Sequence, residues 1–270
     1  MLCSLAMTKF DISFDIQEAM KSNILVSGSN ATGKSRLSAG ICSVLQTFNW
    51  KIVAFDNTGV WRQTSDLPTS YQVTKNRNYD EAREEWYFPF PTESMIFDTS
   101  LLLPIQQKSF VNDALERIWN AQVWHPQNQW TLIATEEAQL FLRDIRGISG
   151  QNILRCASAG RNHKIRVLAV TPDLALIDSA FIRLTNQRYH AKISSEENGL
   201  RKFRNYYGLD NCRIARELDL GYFLYYLNDK IKIIHVPLFQ PLRLPEPYQE
   251  QIRPQPKESI LAKIGKLLFK

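Results

Sequence analysis

The stretch GSNATGKS, Gly28 to Ser35, decides the fold of this chain. It fits the pattern G-x-x-x-x-G-K-[ST] and lies between an apolar run typical of a buried strand, Asn23 to Gly28, and a helical pattern, Lys34 to Phe48. In such a loop the glycines let backbone N–H groups turn towards phosphate oxygens, and the start of the helix adds partial positive charge. The sequence therefore predicts a phosphate-binding loop.

The loop supplies candidate contacts for ATP and Mg²⁺, the cofactors that we expect. Lys34 is predicted to reach the terminal phosphates as a catalytic residue, and the Ser35 hydroxyl is predicted to ligate the metal. The predicted nucleotide-binding residues are Gly28, Ser29, Asn30, Ala31, Thr32, Gly33, Lys34, Ser35 and Arg36.

A pair of adjacent acids, Glu136 and Glu137, follows the apolar run Trp130 to Thr135. Neighbouring carboxylates repel, and burial of either is costly unless positive charge lies nearby. A metal ion beside a phosphate loop supplies that charge, so we assign Glu136 to the metal and Glu137 to catalysis, orienting and polarising the attacking water. The alternative is the solvated start of a helix, because acids favour the first turn.

Apolar runs alternate with helical stretches along the rest of the chain. The further runs are Lys51 to Asp56, Ser94 to Asp98, Trp130 to Glu137 and Ile165 to Thr171. This alternation predicts an α/β fold, with a mainly parallel P-loop NTPase sheet that carries helices on both faces. Two apolar segments flank Asn228-Asp229 and predict a C-terminal β-hairpin.

Length and composition limit the remaining possibilities. The 270 residues, 44% of them hydrophobic, suffice for one large domain with an appendage, and the net charge of +6 suits a polyanionic partner. We predict an ATPase domain over residues 1–240, then a proline-rich arm and a basic amphipathic tail over residues 241–270.

Four widely spaced cysteines without a CxxC favour a reducing compartment and indicate no zinc site.

The N-terminus has too short an apolar run for a signal peptide, and no run of the sequence is long enough for a transmembrane helix. We therefore expect a cytoplasmic protein. The alternation of Phe10, Ile12, Phe14 and Ile16 with polar neighbours predicts a strand.

In order and spacing, several segments resemble the FtsK/HerA superfamily of P-loop ATPases, ring-forming DNA pumps that include viral genome-packaging ATPases and conjugation proteins. The resemblance spans about residues 20 to 240, and its most specific part is the phosphate loop. Asp56 and Gly59 stand in the expected places of the second strand and its loop. The segments are NILVSGSNATGKSRLSAGI, IVAFDNTGVW, TLIATEEAQLFL, AGRNHKIRVLAVTPDLALID and LDNCRIARELDLGYFLYYLNDKIKIIHVPLF.

The resemblance implies an ATP-hydrolysing ring motor, a homo-oligomer of hexameric type, that translocates double-stranded DNA in viral genome packaging or plasmid DNA transfer. By this likeness Arg161 is the candidate arginine finger that acts on the neighbouring subunit's nucleotide, and Arg155 is the second choice. Surface arginine on an amphipathic helix is the alternative for both. Thr171 stands where the family carries a glutamine that senses the γ-phosphate, so we take it as the sensor position.

The predicted DNA contacts lie in the loop Arg143 to Asn152, where Arg143 and Arg146 would grip phosphates; a mobile surface turn is the alternative. In Leu200 to Tyr207, basic and aromatic residues interleave, and the helical spacing of the apolar ones predicts that they pack inward and leave the basic residues solvated; a nucleic-acid-binding face is the alternative. The basic tail is a candidate to dock on a neighbouring subunit, a capsid or an acidic membrane, or else a disordered end. A viral protein would occupy the host cytoplasm.

A second class of function is a nucleotide-dependent switch or assembly factor, in replication or morphogenesis, with little turnover. The missing glutamine favours it, whereas Glu137 counts against it, because a binder needs no water-activating acid. A third is an initiator or helicase loader of the AAA+ type. In the AAA+ class a helical lid follows the fifth strand. This sequence predicts a β-hairpin there and no helical lid is apparent, which argues against the AAA+ type.

Overall fold

The computed structural model describes residues 14–61, 70–143, 148–194 and 196–236. The predicted arm and tail, residues 241–270, lie outside the described residues, so the division of the chain at residue 240 stays a prediction. Arg146 also lies outside them.

Among the described residues, strands pair into one nine-stranded sheet and one two-stranded ribbon. The strands are β1 (Asn23–Ser27), β2 (Lys51–Asp56), β3 (Ser70–Gln72), β4 (Tyr79–Asp80), β5 (Glu85–Trp86), β6 (Met95–Asp98), β7 (Thr131–Thr135), β8 (Ile165–Thr171), β9 (Thr185–His190), β10 (Tyr222–Leu227) and β11 (Lys230–His235). The order in the large sheet is β11-β10-β9-β1-β8-β7-β2-β6-β3, and β4 pairs with β5 in the ribbon.

The large sheet is parallel from β9 to β3, and only β9–β10 and β10–β11 are antiparallel. This confirms the predicted mainly parallel sheet and the C-terminal hairpin, which extends the same sheet. Strands β1, β2, β7 and β8 are buried over their whole length. Such continuous burial is expected where helices cover both faces of a parallel sheet.

Helices lie on both faces, as predicted. One core packs α1 and α2 against the sheet, and the other packs α4, α6, α8 and α9 against the opposite face. None of the helices in the described ranges combines the length and apolar character that a membrane span needs. The helices are α1 (Ile16–Lys21), α2 (Lys34–Thr47), α3 (Lys75–Asn78), α4 (Pro104–Trp124), α5 (Gln139–Leu142), α6 (Ile148–Ala159), α7 (Ser179–Arg183), α8 (Glu197–Tyr207) and α9 (Leu209–Glu217), with 3-10 turns at Gly160–His163 and Leu174–Leu176.

Three local predictions need correction. Ile16 was expected in a strand but begins α1, because the Asp15 carboxylate accepts the N–H of Glu18 at 3.0 Å and caps that helix. The second half of the predicted loop Arg143 to Asn152 belongs to α6, whose buried Ile153 continues a helical apolar face. Helices α7, α8 and α9 lie between β8 and the hairpin, so the predicted lack of a helical lid after the fifth predicted strand no longer counts against the AAA+ type.

Candidate functional site

The phosphate loop connects β1 to α2 at the carboxyl edge of the sheet, where the parallel strands end. Gly33 caps α2 with φ of 94°, and among the described residues no side chain caps this helix start. The first N–H groups of a helix have no intrahelical partner, so they remain available to an anion. Gly28 is needed for close packing, since a Cβ there would lie 2.6 Å from the Cβ of Ala191.

Lys34 lies inside the loop, and its ammonium donates to the carbonyl oxygen of Ser29 at 2.8 Å. Burial lowers the pKa of Lys34, while the negative charges of Glu136 and Glu137 act in the opposite direction. Both carboxylates are therefore close enough to act electrostatically on the lysine. The structure brings together the lysine and the acidic pair that the sequence separates by about a hundred residues.

Glu136 is buried, with 4% of its surface exposed; the indole N–H of Trp61 donates to its Oε1, and the hydroxyl of Ser35 lies near its carboxylate. Burial raises the pKa of Glu136 to about 7; the charge of Asp56 also raises it, whereas Ser35, Trp61 and Lys34 lower it. The two predicted metal ligands, Ser35 and Glu136, thus lie close together.

The loop after β2 places Trp61. The carboxylate of Asp56 accepts the backbone N–H groups of Thr58, Gly59 and Trp61, at 3.1, 2.8 and 2.8 Å. These three hydrogen bonds close a tight turn, which places the fully buried indole of Trp61 against the carboxylate of Glu136. From the sequence, Asp56 and Gly59 stand in places expected from the resemblance, whereas no role was predicted for Trp61.

Glu137 occupies a turn directly after β7, with φ of 47°. The next N–H, of Ala138, donates to the carbonyl of Val170 in β8 at 2.8 Å, which holds the turn against the neighbouring strand. The side-chain amide of Gln139 donates to Oε2 of Glu137. Gln139 is a second residue that sequence reasoning missed, although it lies two positions from the predicted catalytic acid.

Thr171, the predicted sensor, ends β8 beside Ser27, its partner in β1. It is fully buried, and its hydroxyl donates to the carbonyl oxygen of Asp173 at 3.0 Å. Because this hydrogen bond uses the hydroxyl's only proton, Thr171 could donate to a phosphate only after its bond to Asp173 is broken. The sensor role stays a prediction.

The residues fit Mg²⁺. A hydroxyl and a carboxylate are the hard oxygen donors that this ion prefers, and the buried carboxylate of Glu136 gains from a nearby positive charge. Within the described ranges, no group of three His, Cys, Asp or Glu side chains forms a cage for a metal. Mg²⁺ typically takes one or two protein oxygens and completes its shell with phosphate and water, which matches Ser35 and Glu136.

The predicted arginine finger lies at the opposite, amino edge of the sheet. Arg161 is exposed in the 3-10 turn that precedes β8, whereas the phosphate loop follows the end of β1, which runs parallel to β8. The structure therefore does not bring Arg161 to the phosphate loop of its own chain. Arg155, also exposed, lies with its guanidinium 4.3 Å from the ring centroid of Trp119.

The predicted DNA-contact residue Arg143 is exposed at the end of α5. It lines a surface groove of about 890 Å³ together with Arg201, Lys202 and Tyr206 of α8. The apolar face of α8 packs inward as predicted, with Phe203 buried in the core. Contact of this groove with DNA stays a prediction.

Solved structures share this fold at low sequence identity. The genome-packaging NTPase B204 from Sulfolobus turreted icosahedral virus 2, in complex with ATP-gammaS, is 16% identical, with a TM-score of 0.58 over 82% of this chain and 99% of B204. VirB4 of Thermoanaerobacter pseudethanolicus is 9% identical, with a TM-score of 0.59 over 80% of this chain and 90% of VirB4. The bacterial conjugative coupling protein TrwBdeltaN70 is 7% identical, with a TM-score of 0.63 over 86% of this chain and 88% of that protein.

These are P-loop ATPases of the FtsK/HerA type, so the resemblance is confirmed at the level of the fold. No family model and no curated protein matches the sequence.

Proposed function

We propose that the chain is an ATP-hydrolysing ring motor that moves double-stranded DNA, in viral genome packaging or plasmid DNA transfer. The observation that carries the proposal is that Ser35 of the phosphate loop lies close to Glu136, and that Glu136 and Glu137 both act electrostatically on Lys34. A protein that only binds nucleotide does not require the second acid. The shared fold with a genome-packaging NTPase and a conjugative coupling protein supports the link to DNA.

The phosphate loop would bind the triphosphate through backbone N–H groups near the start of α2. The N–H of Ser29 is bonded to the carbonyl oxygen of Lys192 at 2.7 Å, so Ser29 contributes to the shape of the loop more than to phosphate binding. Lys34 would exchange the Ser29 carbonyl for a phosphate oxygen. The new hydrogen bond joins two charged groups and is stronger than the bond it replaces.

The acidic pair has divided roles in this proposal. Ser35 and Glu136 would hold Mg²⁺, which neutralises charge on the terminal phosphates when it is bound. Trp61 keeps the carboxylate of Glu136 oriented towards Ser35. Gln139 holds Oε2 of Glu137 and leaves Oε1 to orient the attacking water and to take its proton.

Assembly would complete the site. Arg161 lies at the far edge of its own sheet, so it can stabilise a γ-phosphate only in a neighbouring subunit. An arginine supplied across a subunit boundary makes hydrolysis depend on ring formation, here a homo-oligomer of hexameric type. The groove lined by the exposed Arg143 and Arg201 is the described surface that we assign to the DNA backbone, because cations there can contact phosphates without reading bases.

Steady-state ATP hydrolysis tests the proposal. We expect turnover per chain to rise with protein concentration and to rise again on addition of long duplex DNA, with Lys34→Ala as the inactive control. Single-stranded DNA of the same length and short duplexes serve as controls for the DNA effect. Slow turnover that is indifferent to DNA and to protein concentration would contradict the motor.

That negative outcome would favour the second candidate, a nucleotide-dependent switch or assembly factor. The observation on its side is Thr171, which replaces the sensing glutamine and whose hydroxyl is bonded to the carbonyl of Asp173. A switch would bind ATP tightly and change its oligomeric state with nucleotide, which analytical ultracentrifugation with ATP and ADP would detect.

A further inference from the structure

The order of the strands indicates where the base of a bound nucleotide would lie, an inference that rests on the proposed nucleotide binding. The groups for the terminal phosphate, Glu136 and Glu137, follow β7, on the β8 side of β1. A triphosphate whose terminal phosphate faces β7 carries its ribose and base towards the other side of the loop. Strands β9 and β10 lie on that side.

The start of β10 contacts the phosphate loop there. A Cβ placed on Gly33 would lie 3.9 Å from the Cα of Gly221 and 3.9 Å from Cζ of Phe223. Gly221 directly precedes Tyr222, the first residue of β10, and Tyr222 pairs with His235 of β11. The entrance of the hairpin is therefore a side wall of the phosphate loop.

Two exposed rings stand at this entrance. Tyr222 and His235 have ring centroids 4.5 Å apart with an interplanar angle of 31°, and Tyr222 is 38% exposed. The next residue, Phe223, is fully buried, so the exposure is confined to the end of the strand. The N–H of Val236 donates to the carbonyl of Gly221 at 2.8 Å and closes the hairpin beneath the rings.

A ring pair of this kind is a surface on which a planar base can stack. Every nucleobase has a π-face, and stacking on an aromatic side chain contributes to binding without requiring hydrogen bonds that read the base. Purines offer the larger face, so a stacking platform favours purine over pyrimidine nucleotides. The backbone bond beneath the rings holds the platform in place before a ligand arrives.

We propose that Tyr222 and His235 form the base-binding platform for a purine nucleoside triphosphate whose phosphates occupy the Gly28–Ser35 loop. The C-terminal hairpin thereby has a role in ligand binding in addition to extending the sheet. Nucleotide occupancy would then depend on two distant parts of the chain, the loop after β1 and the entrance of β10.

Calorimetric binding of ATP and of inorganic tripolyphosphate tests this, because the second ligand has phosphates and no base. We expect Tyr222→Ala to weaken ATP binding about tenfold and to leave tripolyphosphate binding within about twofold. Lys34→Ala should weaken both ligands. Tyr222→Phe, which keeps the ring, should bind ATP like the natural chain, and Tyr87→Ala, beside the ribbon at the other end of the sheet, is the matched control.

The outcomes separate this inference from the proposed function. If the natural chain binds neither ligand, the proposed function fails and the platform fails with it. If ATP and tripolyphosphate bind equally tightly, or if Tyr222→Ala weakens both alike, the platform is refuted while the phosphate loop stands. A second measurement compares ATP with CTP: the preference for ATP should shrink in His235→Ala and in Tyr222→Ala, and an unchanged preference would contradict the proposal.

Discussion

The two edges of the sheet differ in how their charges are arranged. At the carboxyl edge the cation Lys34 lies within the field of Glu136 and Glu137 of the same chain. At the amino edge, where β7 and β8 begin, Arg161 makes no ion pair with any described residue. Beside it lies the buried Arg166, whose pKa is lowered to about 10 by burial and by the charge of Arg161.

We propose that the two edges act on different molecules. The carboxyl edge brings the phosphate loop, the predicted metal ligand Glu136 and the predicted catalytic acid Glu137 together within one chain. The amino edge carries Arg161 and Arg166 close together, and in the proposed function Arg161 acts on a neighbouring subunit's triphosphate. Four substitutions, in order of expected effect, test whether the two edges are distinct in this way.

Glu137→Gln should have the largest effect at the carboxyl edge. Loss of the water-orienting carboxylate should reduce ATP hydrolysis by about 10³- to 10⁴-fold, while ATP binding persists because Lys34 and the loop are unchanged. Phosphate release and calorimetric ATP binding measure the two quantities. Glu116→Gln, an exposed acid on α4, is the matched control and should behave like the natural chain.

Arg161→Ala should reduce hydrolysis by about 10³-fold, and the loss should be shared between subunits. A mixture of Arg161→Ala and Glu137→Gln chains should regain activity, because some interfaces combine an intact acid with an intact arginine. Arg155→Ala, whose guanidinium lies over Trp119, should have little effect. Failure of the mixture to recover would place the amino edge outside the hydrolytic site.

Trp61→Phe should weaken Mg²⁺-dependent ATP binding by about tenfold, because residues that orient a metal ligand typically affect affinity by that order. ATP binding in EDTA should be unchanged. In the natural chain, one indole N–H resonance should lie far downfield, vanish in Trp61→Phe and shift in Glu136→Gln. Trp124→Phe, an exposed tryptophan, is the control. If Trp61→Phe leaves the Mg²⁺ dependence of ATP binding unaltered, Trp61 does not orient a metal ligand.

Glu136→Gln should show by how much the buried carboxylate lowers the free energy of unfolding when no metal is bound. The folded-state pKa of about 7 lies above the ordinary glutamate pKa of 4.5, so at pH values between these two the folded chain retains a proton that the unfolded chain has lost. Stability conferred by that proton is complete below about pH 4.5 and is lost as the pH rises through about 7.

The glutamine variant has no such dependence, so in EDTA it should be more stable than the natural chain at pH 8, by on the order of 3 kcal/mol at most, and less so at pH 5. Urea unfolding at the two pH values measures the difference. An equal difference at both values would mean that Glu136 is ionised in the fold throughout.

The sequence predicted those parts of the fold that rest on local patterns. Strands such as β1 and β8 are continuous apolar runs because both faces are buried, and the phosphate loop is a contiguous motif. Strand β9 was not predicted because three of its four buried residues, Thr185, Gln187 and His190, are polar. His190, for example, is fully buried, with Nδ1 2.7 Å from the hydroxyl of Ser27.

The site was predictable to a similar extent. Lys34 and the acidic pair follow from residue type and position at strand ends, so their meeting could be expected. The contact of Trp61 with Glu136 depends on a turn that Asp56 closes. The two residues are 75 positions apart, so no local sequence pattern could predict that they meet. The entrance of the hairpin meets Gly33 only because β10 lies next to β9 in the sheet, a matter of topology.

A structure of the chain with Mg²⁺ and ATPγS tests the central claim most directly. The account predicts a metal at about 2.1 Å from the Ser35 hydroxyl oxygen, contacting Glu136 directly or through one water, with the terminal phosphate between Lys34 and Glu137. A metal without that contact to Glu136, or a terminal phosphate that faces β9 instead of β7, would contradict it.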